Sequence, residues 1–512
     1  MAGKRNWAAT ASIAAALGVG TVAAVDLTQK KHSIRRIYPV LGRARWALEK
    51  IRPELQQYFI ERDWDGRPFD RRTRSLIYSR AKGQTSTTAF GTQENVYEQG
   101  HRSLVHSMRP VDMPAEPPRV LIGGPQCSQP YSAALLNISA MSFGSLSGRA
   151  VEAMNKGAKM GGFYQDTGEG GLSPHHEKYG GDLVWEIGTG YFGARTPMGG
   201  FDADTFAEKA KRPQVKMTLL KLSQGAKPGL GGELPAAKAT KEVAEIRGIE
   251  EGKAFTSPGA HSEFDTPIGL LHFIDQMRTL SGGKPVGFKL CIGSRREFLS
   301  VCKAMLETGI LPDFIVVDGS EGGTGSAPKE FEDHVGLPLT EGLTFVNNAL
   351  VGCGLRDKIK IGAAGKIAAG NDLVRRMVQG ADFLLSARAM MMAVGCVQAM
   401  ECHLGTCPAG VATQDPWRER GLDVEDKSMR VMRYQKATVS SALRLMAAMG
   451  VQDPKDLRPE MIRCNDDYGK PQTYRERYEW LRDGQLVDGD VPENWREDWE
   501  SANAESFLAK GK

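Results

Sequence analysis

Residues 359–388 read IKIGAAGKIAAGNDLVRRMVQGADFLLSAR. An apolar run ending in glycine, IKIGAAG (359–365), leads into a helix-like segment, AAGNDLVRRMVQG (368–380), and then into a second apolar run, FLLSA (383–387). Strand, helix of about ten to fifteen residues, strand is the pattern of a βαβ unit, whose two strands lie parallel. Working outward, similar runs recur at AALLNISAM (133–141), FYQDT (163–167), QVKMTLL (214–220), VGFKLCI (286–292) and FIVVDG (314–319), with EFLSVCKAMLETG (297–309) as a further connecting helix. Seven such runs over roughly 250 residues predict an α/β chain built as a (β/α)8 barrel rather than an open sheet. Such barrels bind ligands at the C-terminal ends of their strands and phosphate at the loops after the last two. Here those loops carry Gly365 and Lys366, then Ser386, Ala387 and Arg388, each with a helix starting behind. Small residues there let backbone N–H groups approach an anion; the same residues also suit plain βα turns.

The chain has 512 residues, 41% hydrophobic and 25% charged, which excludes a disordered chain and a polytopic membrane protein. Its 59 glycines exceed the usual ~7%, as expected where loops need positive φ or close backbone approach to a ligand. Eight cysteines are too few for a disulfide scaffold. The net charge of +5 is unevenly spread: residues 1–82 hold 17 Lys/Arg against 7 Asp/Glu, and residues 451–512 hold 10 against 15. The near-neutral middle argues against nucleic acid as a partner. The basic front faces either solvent or an anionic membrane surface.

Between Arg5 and Asp26 lie twenty uncharged residues, NWAATASIAAALGVGTVAAV. As a helix this run just crosses a hydrocarbon layer of ~30 Å. Lys4 and Arg5 flank one side and Lys30, Lys31, Arg35 and Arg36 the other. The expectation is a single-pass anchor in the cell inner membrane over residues 1–28, with the rest of the chain cytoplasmic. A cleaved signal peptide, and an Ala-rich helix packed in a homo-oligomer of a cytoplasmic protein, stay open. Residues 29–110 read as a helical extension with breaks at Pro53 and around Gly66, Arg67 and Pro68; residues 111–450 as the barrel; residues 451–512 as an acidic C-terminal tail.

Cys396, Cys402 and Cys407 crowd into VGCVQAMECHLGTCPAG, with Pro408 after the last. Three thiolates followed by proline suit an iron–sulfur loop, either a three-iron cluster or a four-iron cluster with one open site. Zinc with His403 as a fourth ligand, or three buried structural cysteines, are the alternatives. Cys127, Cys291, Cys302, Cys353 and Cys464 stand apart.

From about 130 to 450 the chain resembles the FMN-binding synthase domain of glutamate synthases, in both the ferredoxin-dependent form and the large subunit of the NADPH form. The resemblance is carried by ISAMSFGSLS (138–147), DTGEGG (166–171), KLSQGAKPGLGGELP (221–235), FKL (288–290), DGSEGGTGSAP (318–328) and GCVQAMECHLGTCPAGVATQ (395–414). It implies FMN on top of the barrel and a [3Fe–4S] cluster held by Cys396, Cys402 and Cys407. Met141 and Ser142 would lie against the flavin ring, Lys289 at its N1/O2 edge, and Gly322, Gly323 and Gly325 in a loop along flavin and phosphate. Gln224 and Lys227 would hold 2-oxoglutarate or 2-iminoglutarate, and Glu169 would mark where ammonia enters. The implied reaction is reductive amination, with hydride from reduced FMN and electrons arriving through the cluster.

Three departures shape this expectation. The chain starts Met-Ala-Gly and its first cysteine is Cys127, so the family's N-terminal glutaminase nucleophile is missing; ammonia is expected from solution or a separate amidotransferase subunit. No strand–GxGxxG–helix unit is visible, so electrons are expected from ferredoxin or a separate reductase. The family's SGRFGV reads TGYFGA (189–194), placing Tyr191 where an arginine would hold a substrate carboxylate, with Arg195 nearby. The alternatives are an N-methylglutamate synthase-type subunit using methylamine, and a non-aminating FMN/iron–sulfur electron-transfer subunit of a membrane complex.

Overall fold

A computed structural model describes residues 2–508, with side chains from Trp7 onward, so the flanking Lys4 and Arg5 side chains lie outside the described residues. The chain divides into two compact units, the first ending at Arg72 and the second starting at Thr73.

In the first unit the apolar run forms α1, Ala2–Thr28. Alanine is the strongest helix former, and three hydroxyls that weaken the run's apolarity are satisfied within the helix. Ser12 Oγ donates to Ala8 O (2.9 Å), Thr21 Oγ1 to Leu17 O (2.8 Å) and Thr28 Oγ1 to Ala24 O (2.8 Å). Trp7–Thr28 is long and apolar enough to cross a membrane, with a mean hydropathy of 1.8, and is not buried. After α2 (Ser33–Ile37), α3 runs from Arg43 to Leu55 and passes into a π turn, Gln56–Ile60. Pro53 therefore does not break the helix as expected. The ring removes one N–H, and the chain absorbs the disturbance by widening, so that Glu61 N bonds back to Gln56 O (2.9 Å). The break falls after Ile60, around Gly66, Arg67 and Pro68.

The second unit is the barrel. Its strands in chain order are β1 Leu136–Ile138, β2 Gln165–Asp166, β3 Leu183–Ile187, β4 Val215–Lys221, β5 Val286–Leu290, β6 Phe314–Asp318, β7 Lys360–Ala364 and β8 Phe383–Ser386. Each pairs in parallel with the next, and β8 closes on β1 (Ser386 opposite Ile138). The seven runs read from the sequence all become strands; the eighth, β3, is LVWEI. The strands are buried on both faces, as parallel barrels require, and an antiparallel hairpin, Arg119–Ile122 with Tyr131–Ala134, lies at the end opposite the ligand mouth. From it Ile122 and Ala133 join Tyr164, Met217, Phe314, Val316 and Phe383 in one core cluster.

Helices return outside the barrel. They include α4 Gly148–Gly161, α5 Pro267–Leu280, α6 Arg295–Thr308, α7 Leu339–Gly352, α8 Gly370–Val378 and α9 Val424–Ala448. Their starts are written in the sequence: Ser147, Thr266, Ser294 and Asp423 each accept a backbone N–H of the first turn. Residues 451–512, read as a tail, are folded where described. Ile462–Asn465 pairs with Arg102–Leu104 and with Pro471–Thr473. α10 (Glu493–Ser501) buries Trp495 against Phe345 of α7, stacked at 5.2 Å, with the Arg295 guanidinium 4.6 Å over the indole.

Candidate active site

Five strands finish on charged residues: Asp166 ends β2, Lys221 ends β4 and Asp318 ends β6, while Glu186 and Lys289 stand one residue from the ends of β3 and β5. Because strand ends converge on a barrel's mouth, this pattern gathers them in one place. Lys289 Nζ is 3.3 Å from Glu186 Oε2, both nearly fully buried. Burial works against the ammonium, yet the Glu186, Asp318 and Asp166 carboxylates hold its pKa above the ordinary lysine value. Asp166 is pushed well up by burial and by Glu186, and one of its oxygens has no hydrogen-bond partner. Asp318 accepts Gly225 N (2.9 Å), fastening the β4 loop to β6.

Lys221 is the hub of a second cluster. Its Nζ donates to Glu169 Oε1 (2.5 Å) and to Gln224 Oε1 (2.7 Å). The Glu169 carboxylate lies in a slot between Gly188 and Gly232, where an added Cβ would sit 2.5 Å and 2.6 Å from its oxygens. Burial raises the Glu169 pKa, but Lys221, Arg247 and Lys227 together outweigh it and the carboxyl stays below its ordinary value. Lys227, almost fully buried, is 3.9 Å from Glu233, and burial together with Lys221 lowers its pKa. Glu169, Gln224 and Lys227, singled out from the sequence, are thus brought together. The residue joining them, Lys221, was passed over although it opens the quoted KLSQGAKPG, as were Asp166, Glu186 and Asp318. Their common mark, a charge at or one residue from a strand's C-terminal end, was available in the sequence.

The loops pack against one another at glycines. At Gly168 (φ +65°) an added Cβ would lie 2.8 Å from Ser142 N and 3.0 Å from Met141 N, so the β1 and β2 loops touch there. Gly225 admits no Cβ, which would fall on Gly319 O. Cβ atoms at Gly322, Gly323 and Gly325 would come within 2.7, 2.8 and 2.7 Å of Asp318 Oδ1, Arg388 Nε and Ser145 Oγ. The β6 loop therefore reaches both the β8 loop and the β1 loop. After β7, Gly365 (φ +135°) and Lys366 (φ +49°) turn the backbone through the left-handed region. Ser386 Oγ donates to Ile367 O (2.8 Å), Ala387 opens the helix Arg388–Val394, and Arg388 Nη2 donates to Glu321 O (2.6 Å).

Tyr191 is buried with φ +49°. His261 Nε2 donates to Lys221 O (2.8 Å), so its Nδ1 accepts from the Tyr191 hydroxyl (3.1 Å), which in turn accepts Ser262 N (3.1 Å). Burial holds the His261 pKa down to about 4, so the ring is neutral. The phenol's hydrogen is committed inside the protein. Arg195 does not take over the arginine's position either: its Nη1 donates to Gly190 O (2.9 Å) and its guanidinium lies 5.2 Å over Phe255. Arg247 points instead at the β1 loop, donating to Ser142 Oγ (3.3 Å) and Phe143 O (3.1 Å).

The cysteine loop is fastened to that same β1 loop. Ser147 N donates to Val411 O (2.9 Å), Ser147 Oγ to Gly410 O (2.8 Å) and Gln414 Nε2 to Leu146 O (2.8 Å), while Lys238, from the segment after β4, donates to Ser145 O (2.9 Å). Two non-glycine residues, Gln398 (φ +57°) and Met400 (φ +58°), adopt the left-handed region between the first two cysteines. Such strained winding clusters at functional loops. Burial, with smaller contributions from Cys402 and Cys407, pushes the Cys396 thiol up to about 12. Among the described residues no three His, Cys, Asp or Glu side chains converge as a single metal ion requires, which goes against zinc on these cysteines and His403. A cluster spreads its thiolates over several irons and does not need that convergence.

Fold and site together define a (β/α)8 barrel whose mouth joins buried lysine–carboxylate clusters to a cysteine-bearing loop. Residues 111–452 match the family described as conserved region in glutamate synthase. The glutamate synthase large subunit-like protein YerD of Bacillus subtilis is 38% identical over 477 residues, covering 85% of this chain and 90% of that protein. The archaeal glutamate synthase [NADPH] of Methanocaldococcus jannaschii is 33% identical over 322 residues, covering 63% of this chain and 60% of that protein. Among solved structures, a mutant flavocytochrome b2 with benzoylformate gives a TM-score of 0.43 at 12% identity, covering 91% of this chain and 96% of that one. The chain belongs to the glutamate synthase family and is a glutamate synthase-like oxidoreductase.

Proposed function

We propose that the barrel holds FMN at its mouth, that Cys396, Cys402 and Cys407 hold a [3Fe–4S] cluster, and that the chain catalyses reductive amination of 2-oxoglutarate to glutamate. The donor chemistry fits both groups. Lys366 stands beside Gly365 after β7, and Arg388 opens the helix after β8, on the two loops where this fold binds phosphate. Cys396, Cys402 and Cys407 stand on one loop, bonded to the one that carries Met141 and Ser142. When bound, FMN supplies hydride for the imine carbon, and the cluster supplies single electrons from ferredoxin or a separate reductase.

The protein's own work is positional and electrostatic. The lysine–carboxylate cluster of Lys289, Glu186, Asp166 and Asp318 places a fixed cation beside an adjustable number of negative charges, suited to a ligand that gains and loses charge. Lys227 holds a substrate carboxylate. Lys221, bonded to both Glu169 and Gln224, helps keep Glu169 ionised, so that an entering ammonium ion meets a carboxylate and ammonia meets a hydrogen-bond acceptor. That Lys221–Glu169–Gln224 hub, with Lys227 beside it, is the observation that carries this reading. It is tested by mixing reduced enzyme with 2-oxoglutarate and ammonia: flavin reoxidation and glutamate formation are expected, and their absence with ammonia and with methylamine alike overturns it.

One observation favours a second reading, the non-aminating relay. The phenol of Tyr191 is closed on His261 and Ser262, which leaves no side chain in the role of the family's arginine. In the same assay a relay gives no reoxidation by any keto acid and amine mixture, yet passes electrons to an artificial one-electron acceptor.

For α1 we propose a membrane anchor with the barrel on the cytoplasmic side. The length, the mean hydropathy of 1.8 and the internally bonded hydroxyls support it. Retention in the membrane pellet after alkaline carbonate washing is the expected outcome; release into the supernatant discards it.

A further inference from the structure

The first unit carries a second apolar surface besides α1. Along α3 and the π turn, Ala44, Leu48, Ile51, Leu55 and Phe59 recur at helical spacing, and Leu48 (60%), Ile51 (48%) and Phe59 (81%) are largely open to solvent. Tyr58 is exposed on the same side. The other side carries Glu49, Lys50 and Glu54 together with Trp46, and Arg45 and Arg52 flank the stripe. A helix with one apolar stripe and a charged back normally buries the stripe in a core; here nothing described covers it.

The connection between α1 and α3 is a locked corner. The Asp26 carboxylate, fully buried at the end of α1, accepts Nε and Nη2 of Arg43, the first residue of α3, at 2.9–3.0 Å. It also accepts Val40 N (3.0 Å). Gly42 has no room for a Cβ, which would lie 2.8 Å from Tyr38 O. Trp46 of α3 meets His32 edge to face at 4.8 Å and takes the Arg35 guanidinium at 4.5 Å. The start of α3 is thereby held at the level where α1 ends.

The corner itself is cationic. Between Leu27 and Gly42 stand Lys30, Lys31, Arg35 and Arg36 and not one acidic residue. Lys30, Ser33 and Arg36, with Leu27 and Ile37, line an open pocket of about 410 Å³. Arg35 Nε is buried with no hydrogen-bond partner.

We propose that α3 and its π turn lie flat on the membrane surface, apolar stripe inward, and that the corner binds anionic lipid headgroups. This rests on the anchor reading of α1. One occupant, the bilayer, then covers both unpartnered apolar surfaces, and its phosphates meet the cations that stand between them. A second copy of the chain laid on α3 leaves that cationic corner without a counterion. Tyr38, Tyr58 and Trp64, all exposed, are the residue types that settle at the headgroup level.

The test uses the full chain reconstituted into vesicles of phosphatidylcholine alone or mixed with phosphatidylglycerol, made with lipids brominated near the headgroup. Leu48→Trp adds an indole on the stripe and Lys50→Trp one on the charged back; both positions are exposed, so neither replacement disturbs packing. Flotation with the vesicles is expected. So is quenching of about half or more of the emission added by L48W, with little from K50W. The quenching should deepen when phosphatidylglycerol is present. If the protein floats but the L48W emission is no more quenched than that of K50W, the surface helix is wrong while the anchor stands; a dimer under those conditions assigns the stripe to a second copy. Equal quenching with and without phosphatidylglycerol overturns the headgroup site. Failure to float with either vesicle overturns the anchor, and the proposal with it.

Discussion

Lys227 sits almost without exposure between Glu233 and the Lys221–Glu169 pair, and burial alone already disfavours its charge. Glu233 is only partly engaged with it, and in the proposed reaction a substrate carboxylate is a further anion for that ammonium. Lys227→Ala removes one charged hydrogen bond of ~1.5–3 kcal/mol, so KM for the keto acid is expected to rise about 10–100-fold in steady-state kinetics; unchanged kinetics remove the lysine from the substrate site. Two histidines give a pH signature. Burial holds His261 down to about 4 and His176 to about 3, against an ordinary 6.5. Below that ordinary value the unfolded chain binds protons that the folded chain refuses. The stability present above pH 6.5 is therefore lost as the pH falls toward 4 and then 3. A lower urea midpoint at pH 5 than at pH 7 is the expected result, with a smaller difference in His261→Gln. At this scale much of the site was legible: Glu169, Gln224 and Lys227 stand together as the motifs implied. Lys221 carried only the general mark of a charge at a strand's C-terminal end, which several strands share; only the closed barrel shows that it bonds Glu169.

At the scale of elements, the spacing of apolar runs made seven strands readable, while LVWEI escaped. Its preceding helix, Pro174–Glu177, is a single turn, so the helical period that announces a βαβ unit never develops before β3. The C-terminal segment was unreadable for a related reason. Its net charge is acidic, but its attachment depends on a few separated side chains, Leu481, Leu486 and Trp495, that meet α7 and its neighbours only in three dimensions. The loops follow a different rule, contact through glycine. Gly225 is pressed on Gly319 O, whereas Gly293, also in a loop after a strand, has nothing within 4 Å of an added Cβ. Gly225→Ala is expected to destabilise the protein by ~1–3 kcal/mol or more, the cost of forcing an extra carbon into a packed contact. It should also release flavin, by prising the β4 loop from the β6 loop. Gly293→Ala should leave the urea midpoint and flavin content near wild type. Equal behaviour of the two variants rejects the idea that the loops' close approach shapes the mouth.

For the whole molecule, the decisive relation is between the barrel mouth and the cysteine loop, which lie 263 residues apart in sequence at Ser147 and Gly410 but share direct hydrogen bonds. A redox group on the loop is thereby held to the backbone that leads from Met141 and Ser142, the segment proposed to lie along the flavin. The two sites are nevertheless chemically separate: no cysteine of the trio contributes to the Lys221 or Lys289 clusters. Cys402→Ser should therefore divide the two activities. Iron content and the brown absorbance should fall, while yellow flavin and the cooperative unfolding of the barrel persist. Reduction by a one-electron protein donor should slow by orders of magnitude, while direct chemical reduction of the flavin proceeds as before. Full iron in the purified variant shows that the ligand assignment is wrong. Loss of flavin along with iron shows instead that the loop's hydrogen bonds to Gly144–Ser147 depend on the cluster, and that the mouth and the loop fold as one structure.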